Sequence, residues 1–210
     1  LSYKSVLFCH SSFMGSVQSQ HGLSFLIYSQ NQKILYDFGK NSSFISNCNK
    51  LGINLNDIDF AVLSHHHMDH SGGLNDFLNA NETCSVITTG DINIKYYTKL
   101  MGLFKISIGL KIKKEYEQRI IYNKNNAMIG ENIYLITEIP SQGNSNFINN
   151  ALFMQDKNVL VEDKFEHENA IVIDEDGFLT IFNSCSHKGV LNTIDAVKLY
   201  FPNKKIKNYI

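Results

Sequence analysis

Several features that would point towards other classes of protein are missing from this chain of 210 residues. It has no tryptophan and two prolines, and its four cysteines form no CxxC pair: Cys9, Cys48, Cys84 and Cys185. Four cysteines are too few for a disulfide scaffold, so we expect thiols in a reducing compartment. No apolar run approaches the roughly 18 residues of a membrane helix, and no charged segment leads into an apolar one at the start. These absences predict a cytoplasmic protein.

The charge balance is also close to neutral. Nineteen basic and twenty acidic residues give a formal net charge of -1, and the isoelectric point is near 6.8. No global field would gather nucleic acid or an anionic membrane. Hydrophobic residues make up 43% and charged residues 19%, as in an ordinary globular protein. We therefore expect a single domain over residues 1–210 that takes a small-molecule substrate, with neither membrane nor nucleic acid as a partner.

The first half of the chain alternates strand and helix patterns. Two apolar runs around a polar break predict a hairpin over residues 22–39, whose return strand ends at Asp37. A helix is predicted near residues 41–51, and a buried strand over residues 60–63. A helical spacing of apolar residues follows at Leu74, Phe77 and Leu78. The histidine-rich segment between them is therefore a loop that joins a strand to a helix.

The second half is richer in strands. After a strand at 85–89, the segment 91–126 interleaves lysines with aromatic residues and is either a solvated helical face or a lid over a substrate. Short apolar runs then predict a continuous β-meander, with DEDG at 174–177 as a hairpin turn. The polar loop NSCSHKG at 183–189 leads into a helix that Pro202 ends. These patterns alone predict an α/β protein with a large share of sheet.

The segment SHHHMDHSGG at 64–73 groups four histidines and one aspartate, which are potential metal ligands. His65 and His67 lie two residues apart and would point the same way from a strand end, so both can reach one metal ion. Asp69 and His70 follow at once and could face a second ion. Such donors suit zinc, iron or manganese, and two ions about 3.5–4 Å apart can hold a hydroxide nucleophile at neutral pH. His66 should point away, towards the core or behind a ligand.

A histidine-rich surface loop is the competing interpretation of this segment. Under that interpretation, three features would have to occur together by chance: the order His-x-His-x-Asp-His, the apolar strand before it and the Gly-Gly-Leu after it. We therefore favour a metal site.

The segment SHHHMDHSGGL resembles the HxHxDH metal-binding signature of the metallo-β-lactamase superfamily. LYDFG at 35–39 resembles the superfamily's early Asp-Thr-Gly element, with Phe38 in place of the threonine. The run-in LGINLNDIDFAVL at 51–63 is similar as well. The closest form is the subfamily of dihydropterin ribofuranosyl-aminobenzene phosphate synthase-like proteins, which the sequence resembles at HGLSFLI (21–27), FEHEN (165–169) and SCSHKGVLN (184–192).

This resemblance implies a four-layer αββα sandwich of two mixed sheets with outer helices. It also implies a centre for two divalent metal ions, with zinc as the first expectation and iron or manganese as alternatives. The implied ligands are His65, His67, Asp69, His70 and His187. By similarity, Asp37 orients the metal loop.

Several roles stay open in the second half. The superfamily often places a bridging aspartate in the neighbourhood that Cys185 and His187 occupy, and either could bind metal; Cys185 could instead be an inert buried thiol. His167 and Glu168 could be ligands, a proton shuttle or an exposed pair. We interpret His10 and His21 as structural.

The function that follows is a metal-dependent hydrolase in which Asp69 is both ligand and proton acceptor, acting on a small phosphorylated or pterin-like substrate. The alternative is a metal- or effector-binding module of the same fold with little catalysis. The reason for this alternative is the end of the sequence. By resemblance, a Gly-Gly-x-His element with a further metal-binding histidine would follow KIKNYI, so either the sequence is cut short or the second metal site is incomplete. The isoelectric point argues against a nuclease, and electron-transfer members of the fold typically carry glutamate at the position of His67.

Overall fold

The structure is a computed structural model that describes residues 4–9, 17–29, 31–100, 104–141 and 150–210. The chain forms two compact units. The first unit comprises Leu1–Thr88 and Ile108–Tyr122, and the second comprises Thr89–Ser107 and Asn123–Ile210. In the described parts of the chain, no helix has the length and hydropathy needed to cross a membrane. The expectation of a single domain stays a prediction.

The described residues form the following strands and helices in chain order: β1 (Lys4–Cys9), β2 (Ser24–Ser29), β3 (Gln32–Tyr36), α1 (Ser43–Lys50), β4 (Phe60–Val62), α2 (Met68–Ser71), α3 (Leu74–Ala80), β5 (Val86–Thr88), β6 (Tyr96–Leu100), β7 (Phe104–Ser107), β8 (Ile120–Tyr122), β9 (Ala127–Gly130), β10 (Ile133–Ile136), β11 (Leu152–Asp156), β12 (Val159–Glu162), β13 (Ala170–Glu175), β14 (Phe178–Phe182), α4 (Val190–Tyr200) and β15 (Lys205–Tyr209). Two 3-10 turns lie at Leu55–Asp57 and Lys114–Arg119.

The first unit is built on a mixed six-stranded sheet in the order β1-β2-β3-β4-β5-β8. The predicted hairpin is present, since β2 pairs antiparallel with β3. The pairs β3–β4, β4–β5 and β5–β8 are parallel. Because parallel strands end at the same edge of a sheet, the residues that follow β3 and β4 are brought together there. The segment after β3 begins with Asp37, and the segment after β4 is the histidine cluster.

The core of the first unit explains why phenylalanine stands at position 38, where the superfamily pattern has threonine. This side chain is fully buried, with its ring centroid 6.4 Å from Phe44 on α1 and 5.3 Å from Phe77 on α3. A threonine there could not fill the same volume. Phe38 therefore packs the helices that flank the cluster against the end of the hairpin.

The second unit contains two sheets. A mixed five-stranded sheet has the order β15-β14-β13-β10-β9, and a four-stranded sheet has the order β12-β11-β6-β7. The predicted turn lies between β13 and β14, where Asp176 and Gly177 both have positive φ and connect the paired residues Glu175 and Phe178, as a two-residue hairpin requires. Helix α4 packs its buried Ala196 and Val197 into a cluster with β13 and β14 residues such as Val172 and Ile181.

Two expectations from the sequence are corrected. The meander is not continuous, because β11 and β12 leave the series: they pair with each other, and β11 also pairs with β6 in the four-stranded sheet. An apolar run identifies a strand but not its partner, which depends on long-range packing. The segment 91–126 is not a solvated helical face: its described residues form β6, β7, one 3-10 turn and β8, with 91–107 and 123–126 in the second unit and 108–122 in the first.

Candidate metal centre

The histidine cluster directly follows the end of β4. Because β3 runs parallel to β4, the end of β3 lies at the same side of the sheet. His65, His66, His67 and His70 are buried, and His67 immediately precedes α2. The ring centroids of His65 and His67 are 4.8 Å apart, and those of His65 and His70 are 4.3 Å apart. The loop therefore brings three imidazoles together, as the spacing of the motif predicts.

Asp37 is the polar centre behind these rings. Its side chain is fully buried, and its backbone φ of 65° is uncommon for a residue other than glycine. The Ser64 N–H donates to Oδ1 over 2.8 Å, and the Ser64 hydroxyl donates to Oδ2 over 2.7 Å. Nδ1 of His70 lies 2.8 Å from the same Oδ2. These donors compensate the buried carboxylate.

This network orients two imidazoles. The single proton of the Ser64 hydroxyl goes to Asp37, so Ser64 must accept from His65 Nδ1, 2.8 Å away. His70 likewise donates from Nδ1 to Asp37. In both rings the proton is on Nδ1, which leaves the Nε2 lone pair for a metal. Asp37, His65 and His70 are close enough to hold an ion together, but the hydrogen bonds that Asp37 accepts fit an orienting role better.

Asp69 completes the set of donors on α2. Its Oδ2 lies 3.3 Å from His70 Nε2, and its side chain is 29% exposed. Burial alone would raise the pKa of the Asp69 carboxyl, but the hydrogen bond and electrostatic influence of His70, with a smaller effect of His67, hold that pKa below its usual range. Asp69 is therefore ionised, as a metal ligand must be.

The loop is fixed by backbone contacts with the segment that follows β3. The Phe38 N–H donates to the His70 carbonyl over 2.7 Å. At Gly72, a Cβ atom would lie 2.0 Å from the Lys40 carbonyl oxygen, so only glycine allows this approach. His66 faces the other way, and its Nε2 lies 3.0 Å from the Thr88 hydroxyl at the end of β5. His66 is thus a buried residue that supports the loop.

In the second unit, Glu168 holds the loop that carries His187. Glu168 is buried, and its two carboxylate oxygens accept the backbone N–H groups of His187 over 2.6 Å and Lys188 over 2.8 Å. The ring of Phe165 stacks on the His187 imidazole at 4.5 Å with an interplanar angle of 8°. Burial lowers the pKa of Lys188, although Glu168 and other acidic groups partly oppose this.

His167 is paired with a residue that the sequence analysis missed. Its Nε2 lies 3.2 Å from Asp163 Oδ2, with both side chains about 1% exposed. Asp163 also accepts the Phe165 N–H over 2.8 Å, and the His167 ring lies 4.3 Å from that of Tyr96. The spacing Asp-x-x-x-His directly after an apolar strand was the available signal. An exposed pair of His167 and Glu168 is ruled out, because both residues are buried.

Two other expectations change. Cys185 is exposed, so the interpretation as a buried thiol is wrong: the polar loop between β14 and α4 presents this residue to solvent. His21, interpreted as structural, has a side chain that is 74% exposed and lies beside Asp69. His10 lies outside the described residues.

The donors of the first unit fit a divalent metal ion. Three buried imidazoles, two of them held with Nε2 directed away from an orienting carboxylate or hydroxyl, stand beside an ionised carboxylate. Nitrogen and carboxylate donors of this kind suit zinc, iron and manganese. An imidazole whose other nitrogen donates to a carboxylate is the usual arrangement of a metal-binding histidine.

The family assignment agrees with this site. The profile of the metallo-β-lactamase superfamily matches residues 20–131, slightly more than half of the chain and including the whole histidine cluster. The chain belongs to the metallo-β-lactamase superfamily. Its mixed α/β fold, with several sheets and few helices, is that of the superfamily.

Two curated relatives come from Methanocaldococcus jannaschii. One is a 7,8-dihydropterin-6-methyl-4-(β-D-ribofuranosyl)-aminobenzene-5'-phosphate synthase, 26% identical over 200 residues that cover 89% of this chain and 68% of the relative. The other is an uncharacterised protein, 28% identical over 193 residues that cover 86% of this chain and 68% of that protein.

Solved structures share the fold. Tm1679, a metal-dependent hydrolase of the β-lactamase superfamily, superposes with a TM-score of 0.82 at 24% identity and covers 99% of this chain and 75% of its own. A quorum-quenching N-acyl homoserine lactone lactonase reaches a TM-score of 0.52 at 11% identity, over 99% of this chain and 90% of its own. The superfamily fold supports a metal-dependent, hydrolase-like role.

Proposed function

We propose that this protein is a hydrolase that depends on two divalent metal ions, with zinc as the metal and iron or manganese as alternatives that the same donors accept. His65, His67, Asp69 and His70 hold the ions, and His187 joins them as the superfamily pattern implies. The observation that carries the proposal is the network of Asp37 and Ser64, which occupies Nδ1 of His65 and His70 and leaves their Nε2 atoms as the nitrogens that can bind metal. A cytoplasmic location remains part of the proposal.

The bound ions would supply a nucleophile from water at neutral pH and polarise a substrate oxygen. The residues of the chain orient the ligands and accept a proton. Asp37 keeps the proton of His70 on Nδ1, and Ser64 does the same for His65. The Asp69 carboxylate, partly exposed and ionised, can accept a proton at Oδ1 or Oδ2. Glu168 fixes the backbone of the loop that carries His187.

For the substrate, we propose a small phosphorylated or pterin-like molecule. The support is the relative named as a 7,8-dihydropterin-6-methyl-4-(β-D-ribofuranosyl)-aminobenzene-5'-phosphate synthase, together with basic and aromatic side chains on the four-stranded sheet. Lys105 Nζ lies 3.6 Å from the Tyr97 ring centroid, and Lys99 Nζ lies 4.3 Å from that of Phe153. Such pairs present both a cation for phosphate and a ring for stacking.

The test is turnover of phosphate esters by the metal-loaded protein and by its Asp69→Ala variant. We expect the variant to lose turnover. Asp76→Ala is the matched control, because Asp76 is an exposed carboxylate on α3. Turnover retained in Asp69→Ala would contradict the mechanism. Metal bound tightly with no turnover of any ester would favour the alternative, a metal- or effector-binding module.

A further inference from the structure

His21 is an exposed histidine that lies against the candidate metal centre. It directly precedes Gly22, just before β2. Its Nε2 is 3.5 Å from Oδ2 of Asp69, and its side chain is 74% exposed. The same Asp69 oxygen lies 3.3 Å from Nε2 of His70. Asp69 therefore stands between a buried imidazole and an exposed one.

The position of His21 is set by the backbone around it. The Leu23 N–H donates to the Asp69 carbonyl over 3.3 Å, and the Gly39 N–H donates to the Leu23 carbonyl over 2.8 Å. Gly22 has a φ of 129°, and a Cβ atom there would lie 2.2 Å from the Asp69 carbonyl oxygen. The turn at His21 is thus built against the residue that we propose as the proton acceptor.

A contribution to stability does not account for this arrangement. An ion pair with an exposed histidine is screened by solvent and contributes little to stability, and the backbone contacts hold the turn without the imidazole.

We infer that His21 binds an anionic oxygen of the substrate, and this inference rests on the proposed function. A substrate oxygen that reaches the ions beside Asp69 also comes within reach of His21 Nε2. An imidazole N–H is a good donor to such an oxygen. Because the side chain is exposed, its nitrogen can turn from Asp69 to the ligand without leaving a buried group behind. His21 is therefore a substrate-contacting residue of the first unit.

The experiment compares wild type, His21→Ala, His21→Gln and Lys33→Ala. Lys33 is the control, because its exposed ammonium pairs with Asp57 at a place where we propose no ligand. Metal per chain is measured first, by plasma mass spectrometry, and inorganic phosphate is then titrated into the metal-loaded proteins by calorimetry. We expect equal metal in all four proteins. His21→Ala should weaken phosphate binding about tenfold or more, His21→Gln less because the amide keeps a donor, and Lys33→Ala not at all.

The outcomes separate this inference from the proposed function. A wild type that holds no metal overturns both. A wild type that holds metal but no phosphate, or a His21→Ala variant with unchanged phosphate affinity, overturns the inference alone. Metal lost in His21→Ala would mean that His21 supports the metal itself, which also overturns the inference.

Discussion

The Asp37 carboxylate and Nδ1 of His70, 33 positions apart in the chain, lie 2.8 Å from each other in the core of the first unit. Two parallel strands place them there, since Asp37 follows β3 and the histidine loop follows β4. The contact fixes which nitrogen of His70 can bind metal. The geometry of the candidate metal centre therefore depends on a buried residue that itself need not bind an ion.

Asp37→Asn tests this dependence. An asparagine keeps the shape but replaces one acceptor oxygen by an NH₂ group, so the network that orients His65 and His70 loses an acceptor at the Ser64 N–H or at His70 and the Ser64 hydroxyl. We expect metal affinity to fall about 10- to 100-fold, measured by competition with a chromophoric chelator. Unchanged affinity would contradict the orienting role of Asp37.

Asp174→Asn is the control for that experiment. Asp174 is also buried and pairs with Lys204, but it lies on β13 away from the proposed ligands in sequence. We expect it to cost stability, about 1–3 kcal/mol, without changing metal affinity. An equal loss of metal in both variants would show that general destabilisation, not orientation, causes the effect.

Glu168→Gln tests the anchoring of the loop that carries His187. The glutamine has one carbonyl oxygen for two backbone N–H groups, so one of them loses its partner. We expect faster hydrogen–deuterium exchange in the peptide over 184–189 and a loss of about 1–3 kcal/mol in the free energy of unfolding. Glu162→Gln, an exposed glutamate at the end of β12, should leave exchange of this peptide unchanged. Equal exchange in wild type and Glu168→Gln would refute the anchor.

Thiol reactivity distinguishes the cysteines whose side chains are described. Burial raises the pKa of Cys48 to about 12 and that of Cys84 to about 11, the latter partly offset by Arg119. Since the thiolate is the nucleophile, neither should react in the folded protein near pH 8, whereas the exposed Cys185 should. Iodoacetamide labelling with peptide mapping checks this. Rapid labelling of Cys48 in the native state would contradict the structure.

The same labelling addresses whether Cys185 binds metal. If it is a ligand, bound metal should slow its alkylation strongly, because a coordinated thiolate is no longer free to attack. If His187 alone serves from this loop, metal should change the rate little. We expect the second result, because the proposed ligand set contains His187 and not Cys185.

Phe38→Thr restores the threonine that the superfamily pattern carries. In this chain the change removes a fully buried ring that contacts Phe44 and Phe77. We expect a loss of about 3–5 kcal/mol in unfolding free energy, measured by urea denaturation. Phe178→Thr, at a ring that is 46% exposed, should cost less than about 1 kcal/mol. A neutral Phe38→Thr would mean that the core of the first unit tolerates the cavity.

The local structure was readable from the sequence where pattern and turn chemistry agree. The hairpin that ends at Asp37, the strand into the histidine loop and the turn at Asp176 and Gly177 are all present. In each case a short-range signal, either an apolar period or a turn residue, decides the outcome. The motif likewise identified the residues whose imidazoles come together.

What the sequence did not show depends on contacts across long separations. The pairing of β11 with β6 joins residues more than 50 positions apart, such as Phe153 and Tyr97. The role of Glu168 comes from backbone groups 19 and 20 positions away, and a pattern of side chains contains no information about them. Ser64 was overlooked for the same reason, because its partner Asp37 is 27 positions away. Asp163 is a different case, because its partner His167 is four positions away and the spacing was visible in the sequence.

The central claim is that this chain binds two divalent ions through the histidine cluster. Metal per chain, measured by plasma mass spectrometry on protein purified without a histidine tag, tests it most directly, with His65→Ala as the matched variant. We predict close to two equivalents of zinc, iron or manganese in wild type and a clear loss in the variant. One equivalent would contradict the two-ion centre, and no metal after incubation with excess zinc would contradict the account as a whole.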